Sequence, residues 1–556
     1  MFTRRSVVTG MAGAVMAAPL AGNSSWAARP QRRPNLLLIL ADDMGFADLG
    51  CYGSEIPTPH IDSLAAAGLR FTNFHTAATC SPTRAMLLTG QDNHRVGLGN
   101  MLEIMADNQF GRPGYEGYLN DRATTVATRL TAAGYTCLMA GKWHLGQRPA
   151  SLPVARGFKR SVALMESGAD NFQAKPYLPQ NREVHWYEDS KRIDLPPDFY
   201  SSDYYTSRLI EFIDAERASG KPFFAYLPFQ AVHYPHQAPT ALIEKYLPAY
   251  EAGYEAVRQM RYDKLVMLGL MPAGLNFLAD PSIAAWADLP ADERRRRVRQ
   301  MAVYAAMLDS MDSNIGRLLD YLRTTSQLDN TLILFMSDNG ADAAELDRVF
   351  KDYYAKNFDL STDRLGEPGS YSNYGSGWAR ASSTPLRAFK SSAYEGGMRV
   401  PLIIRPTAAM AARTTDAFGY VTDITPTLLD AAGLPAVGDL DGQSLLPLVD
   451  GRLGRIHGPD EVIAYELAGS VAVFQGDYKL TRNVPPLGDR QWQLFNLADD
   501  PTETTDLAAG MPDLLQRLQQ AYADYAARVG LVEVPADYNP LVQVGRNIGR
   551  VGHDHH

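Results

Sequence analysis

The stretch Cys80-Ser81-Pro82-Thr83-Arg84 carries the side chains with the most distinctive chemistry in this chain, and the helix-like run 85–90 follows it. A thiol is nucleophilic only as its thiolate, which requires a nearby base or positive charge. No sequence signature of a cysteine protease surrounds Cys80, so ordinary thiol catalysis is not indicated. Thr83 and Arg84 are predicted to begin a helix, whose positive N-terminal end favours an anionic neighbour.

Charged or imidazole side chains directly follow four short apolar runs that we predict to be buried strands: Asp42 and Asp43 after 36–41, Lys142 and His144 after 136–140, His233 and His236 after 223–227, and Asp338 and Asn339 after 332–336. Open α/β sheets bind ligands beyond the carboxyl ends of their strands. One such pair could arise by chance, but four pairs together predict a functional site at one edge of the sheet.

Four of these residues offer only oxygen donors: Asp42, Asp43, Asp338 and Asn339. Three carboxylates and one amide suit a hard divalent cation, and a cage of several carboxylates favours calcium over magnesium. Zinc would usually recruit histidine or cysteine. An isolated Asp-Asp pair is typical of a helix cap or turn, so the prediction of a metal site depends on two acidic pairs that each follow an apolar strand.

The elements that must position these residues follow an alternating pattern. A fifth apolar run at 402–404 is predicted to be another parallel strand, and helical patterns occur at 61–67, 123–133 and 297–323. Alternating strands and helices predict an α/β fold with a large, mostly parallel sheet sandwiched by helices. After this domain, at 28–437, we expect a connector at 438–458.

The remaining residues, 459–556, are predicted to form a smaller C-terminal α+β domain and a tail. Its elements are a short antiparallel sheet and a helix, with strands expected at 462–465, 471–474, 479–481 and 493–496 and the helix at 514–528.

The composition indicates a globular protein that can bury a large core, with 556 residues of which 46% are hydrophobic and 21% charged. The formal net charge of −9 argues against a nucleic-acid partner, because neutralising phosphates requires an excess of lysine and arginine. The basic cluster 294–297 is predicted to be a solvated helix face. Three cysteines are too few for a disulfide framework, although the sequence leaves open the possibility of a Cys51–Cys137 bridge.

The first 27 residues resemble a twin-arginine-type signal peptide. Thr3-Arg4-Arg5-Ser6-Val7-Val8 is followed by a weakly apolar stretch rich in alanine and glycine, and Ser25-Trp26-Ala27 resembles a cleavage site. Pro19 and nearby polar residues disfavour the alternative of a membrane anchor, and no later apolar segment is long enough to span a bilayer. We therefore expect an exported, periplasmic protein that uses the twin-arginine export machinery and has no stable membrane insertion.

Several of these motifs together resemble the sulfatase family, within the alkaline-phosphatase-like superfamily. The arrangement Cys80-x-Pro82-x-Arg84 is similar to the family signature, and the run 141–146 is similar to its second signature. The loop 231–236 is similar to the family's substrate-histidine loop, and Lys390 matches its second sulfate-binding lysine. The resemblance covers roughly residues 33 to 530, and the insertion 247–299 is most similar to bacterial arylsulfatases.

The resemblance implies a catalytic residue that the gene does not encode. Cys80 would be oxidised by a formylglycine-generating maturation enzyme, and the hydrated aldehyde would attack sulfur. Arg84 and Lys142 would hold and polarise it, while Asp338 would accept its proton. The resemblance assigns the metal ligands to Asp42, Asp43, Cys80, Asp338 and Asn339.

The remaining roles concern the sulfate group, where negative charge builds on the leaving oxygen. Lys142, His233 and Lys390 would bind the sulfate, and His233 would protonate the leaving oxygen. His144 would then take a proton from the geminal diol, so that sulfate is expelled and the aldehyde re-forms. The resemblance thus implies hydrolysis of small-molecule sulfate monoesters, with aryl sulfates favoured.

Two other functions stay open at this point. One is a phosphate or phosphonate monoester hydrolase on the same fold, and the other is a non-catalytic anion-binding protein in which Cys80 stays a thiol. The aromatic loop 371–378 is predicted to cover an aromatic leaving group, and contact between His236 and substrate is left open. Five further histidines are predicted to be surface or capping residues, namely His60, His75, His94, His185 and His457.

Overall fold

A large mixed sheet organises most of the chain in the computed structural model, which describes residues 33–276, 280 and 282–550. Its strand order is β10-β2-β9-β8-β1-β7-β3-β4-β5-β6, and β11 pairs with β2. Within the described residues, the strands of this sheet are β1 (Asn35–Ala41), β2 (Leu69–His75), β3 (Thr136–Lys142), β4 (Arg160–Leu164), β5 (Trp186–Glu188), β6 (Lys191–Ile193), β7 (Phe223–Pro228), β8 (Thr331–Ser337), β9 (Arg399–Arg405), β10 (Arg413–Thr415) and β11 (Gly419–Tyr420).

Helices cover both faces of this sheet. In chain order, those of the described residues are α1 (Pro59–Ala66), α2 (Cys80–Thr89), α3 (Val126–Ala132), α4 (Ser201–Arg217), α5 (Thr240–Tyr246), α6 (Tyr254–Met267), α7 (Ala291–Thr324), α8 (Leu346–Val349), α9 (Lys351–Asn357), α10 (Gly375–Ser382), α11 (Glu395–Met398), α12 (Ile424–Ala431), α13 (Leu446–Val449), α14 (Pro512–Val529) and α15 (Pro540–Arg546). Alternate residues of β1 enter two separate cores, one with α4 and α7 and the other with α2 and α12. The predicted sandwich is confirmed.

The central strands β8, β1, β7, β3 and β4 run parallel. Ala41 pairs with Ser337, and Leu40 pairs with Pro228, so these strands end at the same level. All residues of β1 are buried, as expected for a strand covered on both faces. The four predicted strands that precede charged residues are therefore confirmed, and their carboxyl ends share one edge.

The prediction that the run 402–404 forms a parallel strand is wrong in its direction. The run lies within β9, which is antiparallel to both β2 and β8. Met336 pairs with Leu402, so β9 starts near the carboxyl end of β8 and runs away from that edge. A short buried apolar run carries no information about strand direction. The amino-terminal end of β9 therefore lies at the edge where the parallel strands end. Lys390, which precedes β9 in the chain, reaches the site at this edge.

The long helix α7 matches the predicted helix at 297–323, but its basic cluster 294–297 is only partly solvated. The Arg297 side chain is 11% exposed and binds Glu345 at 2.6 Å and Glu293 at 2.9 Å. Arg296 lies 3.4 Å from Asp347. The predicted solvated face is therefore wrong for these two arginines, because an acidic segment around α8 packs against the start of the helix.

A second, antiparallel sheet forms the predicted C-terminal α+β unit. Its strands are β12 (Val462–Leu467), β13 (Ser470–Gln475), β14 (Tyr478–Arg482) and β15 (Trp492–Asn496), in that order. One face packs on α14 through residues such as Val473 and Leu518. The opposite face contributes Ala472 and Phe474 to a core of the large sheet. The small sheet is thus buried on both sides.

A buried ionic network joins the small sheet to the chain before β9. Lys479 of β14 lies 2.8 Å from Glu395 and 2.9 Å from Glu503, and all three side chains are inaccessible to solvent. His75 at the end of β2 also contacts Glu395, at 3.0 Å. Removing one partner of such a buried group leaves an uncompensated charge, which strongly destabilises a fold. The network therefore couples α11 to the small sheet.

Four further predictions concern the domain boundaries, the signal peptide, membrane-spanning segments and the pairing of two cysteines. From Pro34 onward the chain forms one compact unit, while the boundaries at 437 and 458 stay predictions. The signal-peptide residues 1–27 lie outside the described residues. No helix in the described part of the chain is long and apolar enough to cross a bilayer. Cys51 and Cys137 are both free, so they do not form the bridge that the sequence left open.

Candidate active site

Cys80 lies at the start of α2, fully buried at the carboxyl edge of the large sheet. Its Sγ is 3.3 Å from Asp42 Oδ1 and 3.7 Å from Asp43 Oδ1. Burial, and then the negative charges of Asp338 and Asp42, raise the pKa of the Cys80 thiol well above its ordinary value. The encoded thiol is therefore a poor nucleophile, since the thiolate is the reactive form.

The acidic residues beyond β1 and β8 meet beside Cys80. One possible metal-ligand atom from each of four residues lies within 4.8 Å of the other three; the residues are Asp42, Asp43, Cys80 and Asp338. Asn339 donates through Nδ2 to Asp43 Oδ1 at 2.7 Å, while its own Oδ1 is buried without a hydrogen-bond partner. A buried acceptor that lacks a donor is costly unless another group satisfies it. The orphaned oxygen and the carboxylates fit the hard, oxygen-ligated cation predicted from the sequence.

Burial and mutual repulsion perturb these carboxyl groups. Burial raises the pKa of Asp43 to about 6, with Asp342 and Asp338 adding to the shift and Lys390 opposing it. Burial and the charge of Asp42 also raise the pKa of Asp338, while Arg84 opposes that shift. The cluster thus concentrates more negative charge than a buried environment tolerates without cations.

Two buried cations contact the acidic cluster from α2 and β3. Arg84 donates twice to Asp338 Oδ2, from Nε at 3.0 Å and from Nη2 at 2.8 Å. Its Nη1 donates to the carbonyl of Lys142 at 2.9 Å. The Lys142 ammonium lies 2.5 Å from Asp42 Oδ2. Arg84 Nη2 also lies 3.6 Å from Asp42 Oδ2, so both cations approach the same oxygen. These bonds fix the orientation of both carboxylates.

Lys390 and His233 complete the ring of donors around Asp43. Lys390 Nζ lies 2.7 Å from Asp43 Oδ1 and 3.0 Å from Asp342 Oδ2. His233 Nε2 is 3.5 Å from Asp43 Oδ2. Burial, with the charges of Lys390 and Lys142, lowers the pKa of His233 well below its ordinary value. The residues predicted to bind the metal and the sulfate therefore lie in one cluster around Asp43, while their roles stay predictions.

His144 lies at the edge of the cluster, where its Nε2 is 3.0 Å from Glu103 Oε1. Burial lowers the pKa of His144, although the charge of Glu103 opposes this shift. Glu103 belongs to the short 3-10 helix Leu102–Ile104 and is itself buried. An imidazole bonded to a carboxylate through one nitrogen has a fixed ring orientation and tautomer.

The backbone at the site is held in conformations that few residues adopt. Asp43, His144 and Ser391 have φ values of 62°, 56° and 68°, in the left-handed region. Gly141 has φ 142°, and a Cβ there would lie 1.9 Å from the carbonyl oxygen of Pro228. Only glycine allows β3 to approach β7 this closely. Such strained positions cluster at functional sites, where the surrounding structure maintains them.

Two residues of the site were missed from the sequence. Asp342 follows Asp338 by four positions in the same loop, so its proximity to a metal ligand was a usable signal. Glu103 lies 41 positions before His144, and no strand or spacing pattern connects the two residues. Only the fold brings that carboxylate to the imidazole.

Other predicted features lie outside the site. His75 and His94 are 0% and 1% exposed, so their assignment as surface or capping residues is wrong. His75 pairs with Glu395, and His94 pairs with Asp92 and Glu466. Both imidazoles serve buried ionic networks that join distant segments, which sequence spacing does not show.

The prediction that the loop 371–378 covers an aromatic leaving group is also wrong. The rings of Tyr371, Tyr374 and Trp378 are at most 1% exposed. Tyr374 stacks on Tyr304 of α7, and Trp378 packs against Tyr250. The glycine and serine residues of this segment are typical of a surface loop in sequence, but its aromatic side chains are buried in the core.

An open cavity of about 410 Å³ lies beside the cluster. Its lining includes Ser81, which follows Cys80, and His144, together with Phe110, Tyr118 and Arg148. His236 is not among them and is buried against the rings of Tyr304 and Tyr374. A ligand that enters this cavity would meet His144 and the residue next to Cys80.

Comparison with known proteins agrees with this geometry. The sulfatase family model matches residues 34–434, and the model of the N-sulphoglucosamine sulphohydrolase C-terminal region matches residues 389–524. An uncharacterised sulfatase of Schizosaccharomyces pombe is 40% identical over 547 residues, which cover 93% of this chain and 97% of that protein. The arylsulfatase of Klebsiella aerogenes is 37% identical over 439 residues, which cover 77% of this chain and 93% of that enzyme.

A solved structure supports the fold alone. The crystal structure of Ps i-CgsB in complex with k-i-k-neocarrahexaose aligns with a TM-score of 0.64 at 23% identity, covering 94% of this chain and 98% of that chain. The family model spans most of the chain, and a buried cysteine lies among acidic and basic groups as the motifs required. The chain therefore belongs to the sulfatase family and is a sulfuric ester hydrolase.

Proposed function

We propose that this sulfatase hydrolyses aryl sulfate monoesters to a phenol and sulfate, using formylglycine at position 80 and a calcium ion. The position of Cys80 carries the proposal. Its side chain is buried at a helix start, in one cluster with the carboxylates of Asp42, Asp43 and Asp338, which Lys142 and Arg84 bind. The raised pKa of its thiol disfavours direct thiol chemistry. The aryl preference rests on the similarity to the Klebsiella aerogenes arylsulfatase.

The donor set assigns the groups that would hold the ion. Asp42, Asp43, Asp338 and the unpartnered Oδ1 of Asn339 would be its protein ligands. The ion would supply positive charge for sulfate oxygens, and hydrated formylglycine would supply an oxygen nucleophile. Calcium is favoured over magnesium because a cage of several carboxylates suits the larger cation.

The chain's own residues orient the substrate and move protons. Lys142, Lys390 and His233 would bind the sulfate group through charge and hydrogen bonds. Burial, followed by the charges of Lys390 and Lys142, depresses the pKa of His233, and a sulfate anion beside the imidazole would counter the lysine charges and so favour the imidazolium form. His233 could then donate a proton to the leaving oxygen. His144, neutral and held by Glu103, is placed to accept a proton in the release step.

The decisive experiment for this proposal combines three measurements on one preparation. Peptide mass across Cys80 distinguishes thiol from aldehyde, and elemental analysis identifies the bound metal. Competing turnover of 4-nitrophenyl sulfate and 4-nitrophenyl phosphate then measures the preference. We expect the aldehyde, calcium and a higher kcat/KM for the sulfate. A clear phosphate preference would favour a phosphate or phosphonate monoester hydrolase, and full activity in protein whose residue 80 is still a thiol would refute the formylglycine assignment.

Export and maturation are part of the same proposal. The twin-arginine-type pattern around Arg4 and Arg5 supports export to the periplasm by the twin-arginine machinery. A formylglycine-generating enzyme would be the maturation partner, acting on Cys80. Cell fractionation tests the location, and replacing both arginines with lysine should retain the protein in the cytoplasm. Unaltered periplasmic levels of that variant would contradict the export route.

Replacing Glu103 with glutamine is expected to lower kcat by roughly 10- to 100-fold with little change in KM. The amide keeps the shape of the side chain but removes the charge that holds His144 and raises its pKa. Steady-state kinetics on an aryl sulfate would measure the effect. Glu116→Gln is the matched control, because Glu116 lines the same cavity but lies 3.7 Å from Arg122 and does not bind His144. Equal kinetics for wild type and Glu103→Gln would contradict a role for this carboxylate.

A further inference from the structure

The last described segment of the chain, residues 531–550, lies against the loop that carries Glu103. We name it the C-terminal strap. The Tyr538 hydroxyl donates to the carbonyl of Ile104 at 2.7 Å, and Gln109 Nε2 donates to the carbonyl of Val532 at 3.0 Å. The strap also contains the helix α15, which packs on the 3-10 helix Leu102–Ile104. These contacts join residues more than 400 positions apart in sequence.

The contacts concentrate on the main chain around Glu103. Asn547 is fully buried, and its Nδ2 donates to the carbonyls of Leu102 at 3.4 Å, Glu103 at 3.2 Å and Met105 at 3.1 Å. Gln180 Nε2 bridges the carbonyl of Glu103, at 2.9 Å, and that of Val544 in the strap, at 2.8 Å. The carbonyl of Glu103 is thus bound by one strap residue directly and tied to a second through Gln180.

The main chain of Glu103 binds the strap, whereas its side-chain carboxylate binds His144 at 3.0 Å. A main-chain shift of about 1 Å would break a bond of that length, and misplacements of this size can cost roughly 100-fold in rate. The strap therefore fixes a carboxylate that sets the orientation of a proposed proton acceptor.

We infer that the C-terminal strap is a positioning element of the active site, acting through Asn547, Glu103 and His144 in turn. This inference rests on the proposed function, since it assigns the strap an effect on sulfate ester turnover. Asn547 is a positioning residue, because it touches neither substrate nor the reacting atoms. A merely stabilising strap would affect unfolding without affecting the turnover of folded enzyme.

The test compares Asn547→Ala with the wild-type enzyme, as matured full-length chains. We expect kcat to fall about tenfold while KM changes by less than about twofold. Asn314→Ala is the matched control, because Asn314 is an equally buried amide that bonds to Asp203 and to the carbonyl of Ser310 in α7. That control should lower the melting temperature and leave kcat unchanged.

A double mutant separates the positioning role from an independent one. If Asn547 acts through Glu103, then Asn547→Ala should cause no further loss of kcat in the Glu103→Gln background. A full tenfold loss there would overturn the inference, as would an unchanged kcat in the single variant. Should Asn547→Ala fail to fold, Tyr538→Phe removes only the hydroxyl that bonds to Ile104 and is tested in the same way.

Amide hydrogen exchange tests whether the C-terminal strap holds the loop of Glu103, and it does not require turnover. Amides of residues 102–106 should exchange faster in Asn547→Ala and should be unchanged in Asn314→Ala. Unchanged exchange in both variants would overturn the inference even if the enzyme is active. A wild-type enzyme that turns over no sulfate ester would instead refute the proposed function, while the exchange result would still decide whether the strap holds the loop of Glu103.

Discussion

Replacing Cys80 with alanine is expected to abolish sulfate ester turnover, by roughly four orders of magnitude or more, while the fold stays intact. The change removes one sulfur atom, and with it the only precursor for the proposed nucleophile at the start of α2. The neighbouring lysine, arginine and histidine side chains can still bind the sulfate, but no nucleophile remains to attack it. Initial rates with 4-nitrophenyl sulfate measure the loss, and calorimetry measures stability.

The other two cysteines provide matched controls for this experiment. Cys51 and Cys137 are free and lie outside the cluster around Asp42. Cys51→Ala and Cys137→Ala should therefore retain wild-type kcat, although the buried Cys137 should lose some stability because its removal leaves a small cavity. Rates for Cys80→Ala that equal those of the wild type would refute the nucleophile assignment.

The second large effect is expected for Asp338→Asn, which should weaken metal binding at least about 100-fold and lower kcat by a similar factor or more. The amide matches the carboxylate in shape, but it lacks the charge that the ion requires. The amide has one acceptor oxygen where the carboxylate has two, so its NH2 group would face either the Arg84 guanidinium or the main-chain amide of Asp43. Calorimetric titration of chelator-treated protein with Ca²⁺ measures the affinity.

Asp312→Asn is the control for the metal prediction. Asp312 is another buried carboxylate, on α7, and accepts from the main-chain amides of His60 and Ile61. Its substitution should reduce thermal stability while metal affinity stays at the wild-type value. An unchanged Ca²⁺ affinity in Asp338→Asn would count against the proposed ligand set, whatever its effect on turnover.

The part of the site that lies just beyond parallel strands could be predicted from the sequence. Asp42 and Asp338 follow apolar runs that pair directly as β1 and β8, so their meeting follows from sheet geometry alone. Lys142 could be placed in the same way, because it is the last residue of β3. For these residues, local strand patterns contain the information that the fold uses.

The remaining features depend on long-range packing that no local pattern encodes. Glu103 reaches His144 only because the loop around it is held by residues near 540. The burial of His75 likewise depends on Glu395, which is 320 positions away. The direction of β9 was mispredicted for a related reason, because a short apolar run is compatible with both directions.

The buried ammonium of Lys479 restricts the exchange of the small antiparallel sheet between members of the family. Glu395, which accepts from Lys479, lies five residues after Lys390 and next to the strand that leaves the catalytic edge. Exchanging the small sheet for one that lacks this lysine would remove the cation that binds Glu503 and leave Glu395 with His75 and Arg399. A chimaera with another family member would therefore need to exchange Lys479, Glu395 and Glu503 together.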